Sequence, residues 1–168
     1  VDPGYDTNRT VVTFAGPPEA VIEAAFQGIR AAAALIDMRH HRGAHPRIGA
    51  TDVCPLVPIT GISLAETAHH AQALAERVGR ELAISVYLYE AAQPDPARRN
   101  LAAIRAGEYE GLAEKLHRPE WRPDFGPAEF NPVHGATAIG ARGFLVAYNV
   151  NLNTTSTRRA NAVAFDVR

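Results

Sequence analysis

Histidine and arginine side chains are concentrated in residues 39–52, which have the sequence RHHRGAHPRIGATD. An imidazole titrates near neutral pH, so it can accept and return a proton under physiological conditions. A guanidinium keeps its charge and binds a carboxylate through two parallel hydrogen bonds. Together these residue types predict acid/base chemistry on an anionic substrate. Composition alone leaves a solvated connecting loop open as the alternative.

Two other kinds of site can be weighed against this one. A metal centre built on His40, His41 and His45 lacks an evident fourth ligand, and a glycine and a proline interrupt the spacing, so we expect no metal. Residues 135–143, GATAIGARG, are rich in glycine like a phosphate-binding loop. They lack the GK[ST] ending and are expected to precede a strand rather than a helix, which argues against nucleotide binding.

The composition is that of an ordinary globular domain. Hydrophobic residues make up 46% and charged residues 21% of the 168 residues, which predicts one folded domain. A net charge of -1 gives no general attraction to nucleic acid. No apolar run is long enough to span a membrane, and Cys54 has no partner for an intrachain disulfide. We therefore expect a cytoplasmic protein that binds neither nucleic acid nor membranes.

Hydrophobic periodicity predicts the elements of the first half of the chain. The run VVTF and the apolar segment VCPLVPI are typical of strands, the second at a sheet edge because it contains two prolines. Ser63 and Glu66 have the spacing of a capping box before a long amphipathic helix. The predicted elements are a strand over residues 11–14, a helix over 17–36, a strand over 53–59, a helix over 63–81 and a strand over 84–89.

The second half is less regular. Short helices are predicted over residues 101–105 and 109–116, followed by a long loop rich in proline, glycine and aromatic residues. The run FLVAYNVNL predicts a strand over 144–152, and residues 154–156 can cap a last helix over 158–167. This irregular part interrupts any regular strand-helix alternation. The sequence therefore favours an α+β fold with a mixed β-sheet and helices mainly on one face.

Several motifs in the chain match one known family in their order. They are DxGxxTNRT from Asp2, HPRIGATDVCP from His45, VYLY from Val86, IRAGEYEGL from Ile104 and PDFGP from Pro123. With them, the chain from Asp2 to about Leu152 resembles the formiminotransferase domain. That family comprises glutamate formimidoyltransferase and the amino-terminal part of formimidoyltransferase-cyclodeaminase.

The resemblance implies an enzyme that transfers a formimidoyl or formyl group between N-formimidoyl-L-glutamate and tetrahydrofolate in histidine degradation. Tetrahydrofolate is then a co-substrate, and no metal is involved. The implied fold is the ferredoxin-like N-terminal subdomain of the family. Residues 1–168 would form this single domain, without the family's first strand and helix and without its second subdomain. We expect a homodimer, or completion of the folate cleft by that second subdomain.

The resemblance also assigns roles to individual residues. His45, in the GxHPR motif, corresponds to the catalytic histidine, and Asp2 corresponds to its acidic partner. Arg47 and Arg42 are candidates for binding the carboxylates of glutamate or of the folate tail. The segment where the family contacts folate comprises Gly126, Pro127, Ala128, Glu129, Phe130, Asn131, Pro132, Val133, His134 and Gly135. The alternative function is a non-catalytic folate-binding or assembly module with the same fold.

Overall fold

The computed structural model describes residues 1–146 and 150–167. Its strands and helices follow one another in an order close to the predicted one. They are β1 (Asp2–Gly4), β2 (Arg9–Val11), α1 (Pro18–Leu35), β3 (Val53–Leu56), α2 (Leu64–Leu82), β4 (Ser85–Glu90), α3 (Leu101–Arg105), α4 (Leu112–Leu116), β5 (Ala136–Ala141) and α5 (Thr157–Asp166). Short 3₁₀ turns lie at Pro96–Arg98 and Pro119–Trp121.

The strands form both antiparallel and parallel pairs. β1 and β2 form an antiparallel hairpin in which Asp2 lies opposite Val11. The other three strands form a parallel sheet in the order β3-β5-β4. Helices and both kinds of strand pairing give the α+β fold that the sequence predicts. The edge position expected for the proline-containing strand, β3, is confirmed, although that strand ends at Leu56 rather than at residue 59.

Alternate side chains of the parallel sheet enter two separate hydrophobic clusters. Val86 and Leu88 of β4 pack with α1 and α2 on one face, while Tyr87 and Tyr89 pack with α3 and α4 on the other. Both long helices therefore lie on one face, and only short helices cover the second. Burial on both faces explains why β4 is almost continuously apolar, as strands of a parallel sheet usually are.

The long helix α2 begins with the predicted capping box. The Ser63 hydroxyl accepts a hydrogen bond from the Glu66 backbone N–H at 3.1 Å, and the Ser63 N–H donates to the Glu66 carboxylate at 2.8 Å. Two backbone donors that helix geometry leaves without partners are satisfied in this way. The cap fixes the first turn of the helix whose buried side supports the sheet.

Two strand predictions are wrong. The sheet's central strand is β5, Ala136–Ala141, instead of residues 144–152. Residues 144–146 and 150–152 are not in a strand, and residues 147–149 lie outside the described part of the chain. β5, with the sequence ATAIGA, contains three alanines and a glycine because neighbours approach it closely: a Cβ on Gly140 would lie 2.4 Å from the Tyr89 ring. Near the N-terminus the strand is Arg9–Val11, so residues 12–14 of the predicted strand are outside it.

The core packing of α2 leads to a stability prediction. Leu74 is fully buried between α2 and the sheet, and its replacement by alanine leaves a cavity. We expect Leu74→Ala to lower the free energy of unfolding by about 2–5 kcal/mol. Leu35→Ala is the matched control, because Leu35 is 84% exposed and should change stability by less than about 0.5 kcal/mol. Urea denaturation measures both, and equal effects would contradict the assigned core.

Candidate functional site

The segment between α1 and β3, residues 36–52, is called the histidine loop below. The turn of the β1–β2 hairpin packs directly against it. The Asn8 side-chain amide donates to the Arg42 carbonyl at 2.7 Å, and the Ala44 N–H donates to the Asp6 carbonyl at 3.1 Å. A Cβ on Gly43 would lie 2.2 Å from the Thr7 carbonyl oxygen, so this close approach requires glycine. The hairpin therefore forms one wall of the site.

His45 is half-buried at this contact, and its partners define its tautomer. Its Nδ1 lies 2.7 Å from the Pro46 carbonyl oxygen, and its Nε2 lies 2.7 Å from Arg9 Nη1. A carbonyl only accepts hydrogen bonds and a guanidinium only donates them, so Nδ1 carries the proton and Nε2 presents its lone pair. A neutral imidazole with its lone pair on Nε2 can act as a general base once that lone pair is free.

Arg9 was not among the residues that sequence reasoning placed in the site. It lies in the TNRT motif, on β2, and reaches His45 across 36 positions of the chain. The motif was the only sequence signal that could have identified it. Asp2 lies on the neighbouring strand β1 and is exposed. In the described part of the chain, the hydrogen-bond partners of His45 are Arg9 and Pro46, so the role of Asp2 stays a prediction.

Arg47 is held by the acidic segment that follows α3. Its guanidinium makes a two-point contact with the Glu110 carboxylate, at 2.7 and 2.6 Å, and lies 3.2 Å from Glu108. The Tyr109 N–H donates to the Arg47 carbonyl at 2.8 Å. Arg47 is only 8% exposed, whereas both glutamates reach solvent. This cluster of Arg47, Glu108 and Glu110, called the arginine clamp below, ties the histidine loop to the second face of the domain.

The arginine clamp perturbs its own ionisation equilibria. The hydrogen bonds that Arg47 donates to Glu110 lower the pKa of the Glu110 carboxyl to about 2. The same contact raises the pKa of Arg47 above its usual value. Arg47 and Arg42 both line an open cleft of about 500 Å³, together with Gly107 and the two glutamates. Arg42 is exposed there, and its Nη1 donates to the His41 carbonyl at 2.7 Å. Their predicted contacts with substrate carboxylates stay predictions.

The predicted folate segment, residues 126–135, borders the same loop. The Met38 N–H donates to the Val133 carbonyl at 2.8 Å, and the Ala50 N–H donates to the His134 carbonyl at 3.0 Å. Phe130 is half-buried, with its ring centroid 5.4 Å from that of Tyr109. The structure thus brings this segment and the histidine loop together, and the aromatic pair lies next to the arginine clamp, since Tyr109 stands between Glu108 and Glu110 in the chain.

Both ends of the folate segment are fixed by close packing. Gly126 has a φ of 79°, and a Cβ there would lie 2.0 Å from the Ile84 carbonyl oxygen. Gly135 has a φ of 63°, and a Cβ there would lie 2.2 Å from the Ile48 carbonyl oxygen. Residues with a Cβ rarely adopt this backbone conformation, so glycine is required at both positions. The Ser85 hydroxyl also donates to the Pro127 carbonyl at 2.7 Å, which attaches the segment to β4.

The end of the histidine loop is fixed by a largely buried ion pair. Asp52 accepts a hydrogen bond from the Ile48 N–H at 3.1 Å, and its carboxylate pairs with the Arg105 guanidinium of α3. Their side chains are 15% and 18% exposed. The carboxylate therefore joins the loop that carries His45 to a helix on the second face of the sheet.

The arginine clamp gives a pH-dependent prediction. The folded-state pKa of Glu110 is about 2, below the usual value of 4.5, so its ion pair stabilises the protein fully above pH 4.5. That contribution disappears as the pH falls from 4.5 towards 2, because the folded state binds a proton less readily than the unfolded state. We expect Glu110→Gln to destabilise the protein at pH 6 and to have a smaller effect near pH 2.

Denaturation at several pH values, for the wild type and for Glu110→Gln, measures this dependence. The control is Glu114→Gln, which removes an exposed carboxylate paired with Arg118 within one helical turn. An effect of Glu110→Gln that does not change with pH would show that the clamp is not the origin of the shift.

The described residues, 1–146 and 150–167, hold neither a metal-binding cluster nor a membrane-spanning helix. They contain no cluster of three or more histidine, cysteine, aspartate or glutamate side chains arranged to hold a metal ion. None of their helices combines the length and the apolar character needed to cross a bilayer.

The thiol of Cys54 packs against the core of the first face, and burial raises its pKa to about 11.

Comparison with known proteins identifies what the chain is similar to. The sequence profile of the "Formiminotransferase domain, N-terminal subdomain" family matches residues 1–142. The chain is 52% identical over 168 residues to formimidoyltransferase-cyclodeaminase of Rattus norvegicus, covering all of this chain and 31% of that protein. It is 47% identical over 161 residues to glutamate formimidoyltransferase of Streptococcus pyogenes serotype M1, covering 96% of this chain and 54% of that protein.

A third relative extends the range of sources. Glutamate formimidoyltransferase of Thermoplasma acidophilum is 46% identical over 170 residues, and the chain covers 55% of it. The chain thus spans about half the length of these glutamate formimidoyltransferases and about a third of the bifunctional relative.

Proposed function

Since the chain belongs to the formiminotransferase family, as an N-terminal subdomain, we propose that its protein transfers a formimidoyl group from N-formimidoyl-L-glutamate to tetrahydrofolate. The observation that carries this proposal is the neutral His45 imidazole, whose Nε2 lone pair lies where the hairpin meets the histidine loop. The relatives' names, glutamate formimidoyltransferase and formimidoyltransferase-cyclodeaminase, support the same substrates. The proposal includes a cytoplasmic reaction in histidine degradation.

The transfer needs two proton movements that one imidazole can perform. The folate amine attacks the formimidoyl carbon and forms a C–N bond, while its proton passes to His45 Nε2. The tetrahedral intermediate then collapses as the C–N bond to the glutamate nitrogen breaks. That nitrogen receives the same proton from Nε2, and the enzyme returns to its starting state. Such proton transfer contributes about 10²–10⁴-fold to a rate.

The remaining predicted residues have supporting roles in this proposal. The Asp2 carboxylate, on the hairpin that also carries Arg9, stabilises the imidazolium formed after the first proton transfer. Residues 126–135 hold the folate, with Phe130 against a ring of the pterin or aminobenzoate group. Tetrahydrofolate is a co-substrate here, and the proposed reaction needs no metal.

A second subdomain or a homodimer partner completes the folate cleft in this proposal. Its support is an exposed apolar stretch that follows the parallel sheet. Phe144, Leu145 and Val146 are 76%, 70% and 87% exposed. Apolar side chains that are adjacent and exposed to this degree are typical of surfaces that another unit covers.

An assay of glutamate release tests the function directly. The protein at its natural length is incubated with N-formimidoyl-L-glutamate, with and without tetrahydrofolate, and the binding of folinic acid is measured by calorimetry. We expect glutamate to be released only when tetrahydrofolate is present. Binding of folinic acid without any turnover would instead support the non-catalytic folate-binding module. N-formyl-L-glutamate as an alternative donor decides between formimidoyl and formyl transfer.

A further inference from the structure

Arg9 contacts His45, and Arg42 and Arg47 lie close to His45 in the chain; the three guanidinium groups have different partners. Arg47 is bound by two carboxylates of the arginine clamp, which already neutralise its charge. Arg42 donates to the backbone carbonyl of His41. Arg9 donates to the uncharged imidazole of His45 at 2.7 Å. Within the described part of the chain, neither Arg9 nor Arg42 has a carboxylate partner, and of these two only Arg9 contacts the His45 ring.

The position of Arg9 brings its charge to the base and leaves it open to solvent. Its side chain is exposed, on a short hairpin strand, and its guanidinium covers the lone pair that His45 needs in order to act as a base. A proton cannot be transferred to Nε2 while the guanidinium donates there. The contact must therefore break before the reaction can begin.

We propose that Arg9 binds a carboxylate of N-formimidoyl-L-glutamate and leaves His45 Nε2 when that substrate enters. A guanidinium binds a carboxylate more strongly than it binds a neutral ring nitrogen, because the carboxylate is charged and accepts two hydrogen bonds. The anionic substrate thus removes Arg9 from the base it covers. This inference rests on the proposed function and adds the residue that recognises the donor's charge.

The proposal couples recognition to catalysis. A donor without carboxylates gives Arg9 no alternative partner, so the guanidinium stays on Nε2 and the base remains covered. The wild-type protein should therefore discriminate strongly against a neutral donor. Removal of the guanidinium should slow transfer from the anionic donor, but it should not slow transfer from the neutral one.

The test compares two donors, N-formimidoyl-L-glutamate and its diamide, in the protein at its natural length. We measure kcat/KM with tetrahydrofolate for the wild type, Arg9→Gln and Arg9→Lys. The control is Arg80→Gln, since Arg80 is exposed on α2 and pairs with Glu76 and Glu81. For Arg9→Gln we expect a fall of about 10- to 100-fold with the anionic donor, the range typical of a charge-assisted two-point contact. With the diamide we expect no fall, and Arg9→Lys should lie between the other two proteins.

Each outcome is decisive. Loss of the preference for the anionic donor in Arg9→Gln, but not in Arg80→Gln, supports the proposal. Equal losses with both donors would show that Arg9 acts only on His45 and would overturn it, as would an unchanged preference. If the wild type transfers nothing from either donor, the proposed function itself fails, and this result is distinct from all the others.

Discussion

Replacing His45 with alanine is expected to lower kcat for formimidoyl transfer by about 10²–10⁴-fold, the usual contribution of a positioned acid/base group. The KM values for both substrates should change little, since the half-buried ring is assigned to proton transfer and not to binding. The fold should be preserved, because the His45 ring contacts only an exposed arginine and its own neighbouring carbonyl by hydrogen bonds.

The matched control for this variant is His69→Ala. His69 is an exposed histidine on α2, outside both the histidine loop and the folate segment. Its replacement should leave kcat and KM at the wild-type values. If His45→Ala keeps a kcat within a few-fold of the wild type, His45 is not the acid/base, and the proton must be carried by another group or by water.

Replacing Asp52 with asparagine is expected to lower the free energy of unfolding by about 3–5 kcal/mol, because it leaves a largely buried guanidinium without its counter-ion. The Arg105 side chain is 18% exposed and pairs with this carboxylate. Asparagine has nearly the same volume, so the loss comes from charge rather than from packing. Since Asp52 also accepts from the Ile48 N–H, kcat should fall too as the histidine loop loses its anchor.

A double-mutant cycle separates this ion pair from other effects. Arg105→Gln and the combination with Asp52→Asn are unfolded in urea alongside the two parent proteins. The combined variant should lose clearly less stability than the sum of the two single losses. Each single variant leaves one buried charge unpaired, whereas the combined variant removes both charges. Additive losses would contradict the assignment of Asp52 and Arg105 as a mutually dependent pair.

Elements whose signals are local could be predicted from the sequence. The start of α2 follows from Ser63 and Glu66, which form the expected capping box. Pro17 and Pro18 similarly indicate the start of α1, because proline is tolerated in the first turn of a helix. The run of strand-forming residues ISVYLY located β4 to within one residue. In each case the residues that determine the element lie next to one another in the chain.

The central strand of the sheet could not be found in this way. Four of residues 136–141, ATAIGA, are alanine or glycine, which are weak strand formers by themselves. Their size is required by packing: Gly140 faces the Tyr89 ring, and Ala136 and Ala138 are fully buried. Residues 144–152 carry a stronger strand pattern than β5, so the strand was predicted there. The described residues of that segment are not in a strand.

Some features of the candidate site could be predicted from the sequence and others could not. The concentration of histidine and arginine in residues 39–52 is visible in the sequence, so the loop was predicted as the site. The contacts of its side chains are not visible, since Arg9 lies 36 positions before His45 and Glu110 lies 63 positions after Arg47. Only the fold brings these residues together. The sequence could name the residue types of the site but not assign a partner to each arginine.

The most direct test of the central claim is a crystal structure of the protein with folinic acid and L-glutamate bound together. We expect N5 of the folate to lie within about 3.2 Å of His45 Nε2, the reach of a hydrogen bond in proton transfer. The pterin should contact residues 126–135. A folate bound away from the histidine loop, with Arg9 still on Nε2, would contradict the assignment of His45 as the acid/base of the transfer.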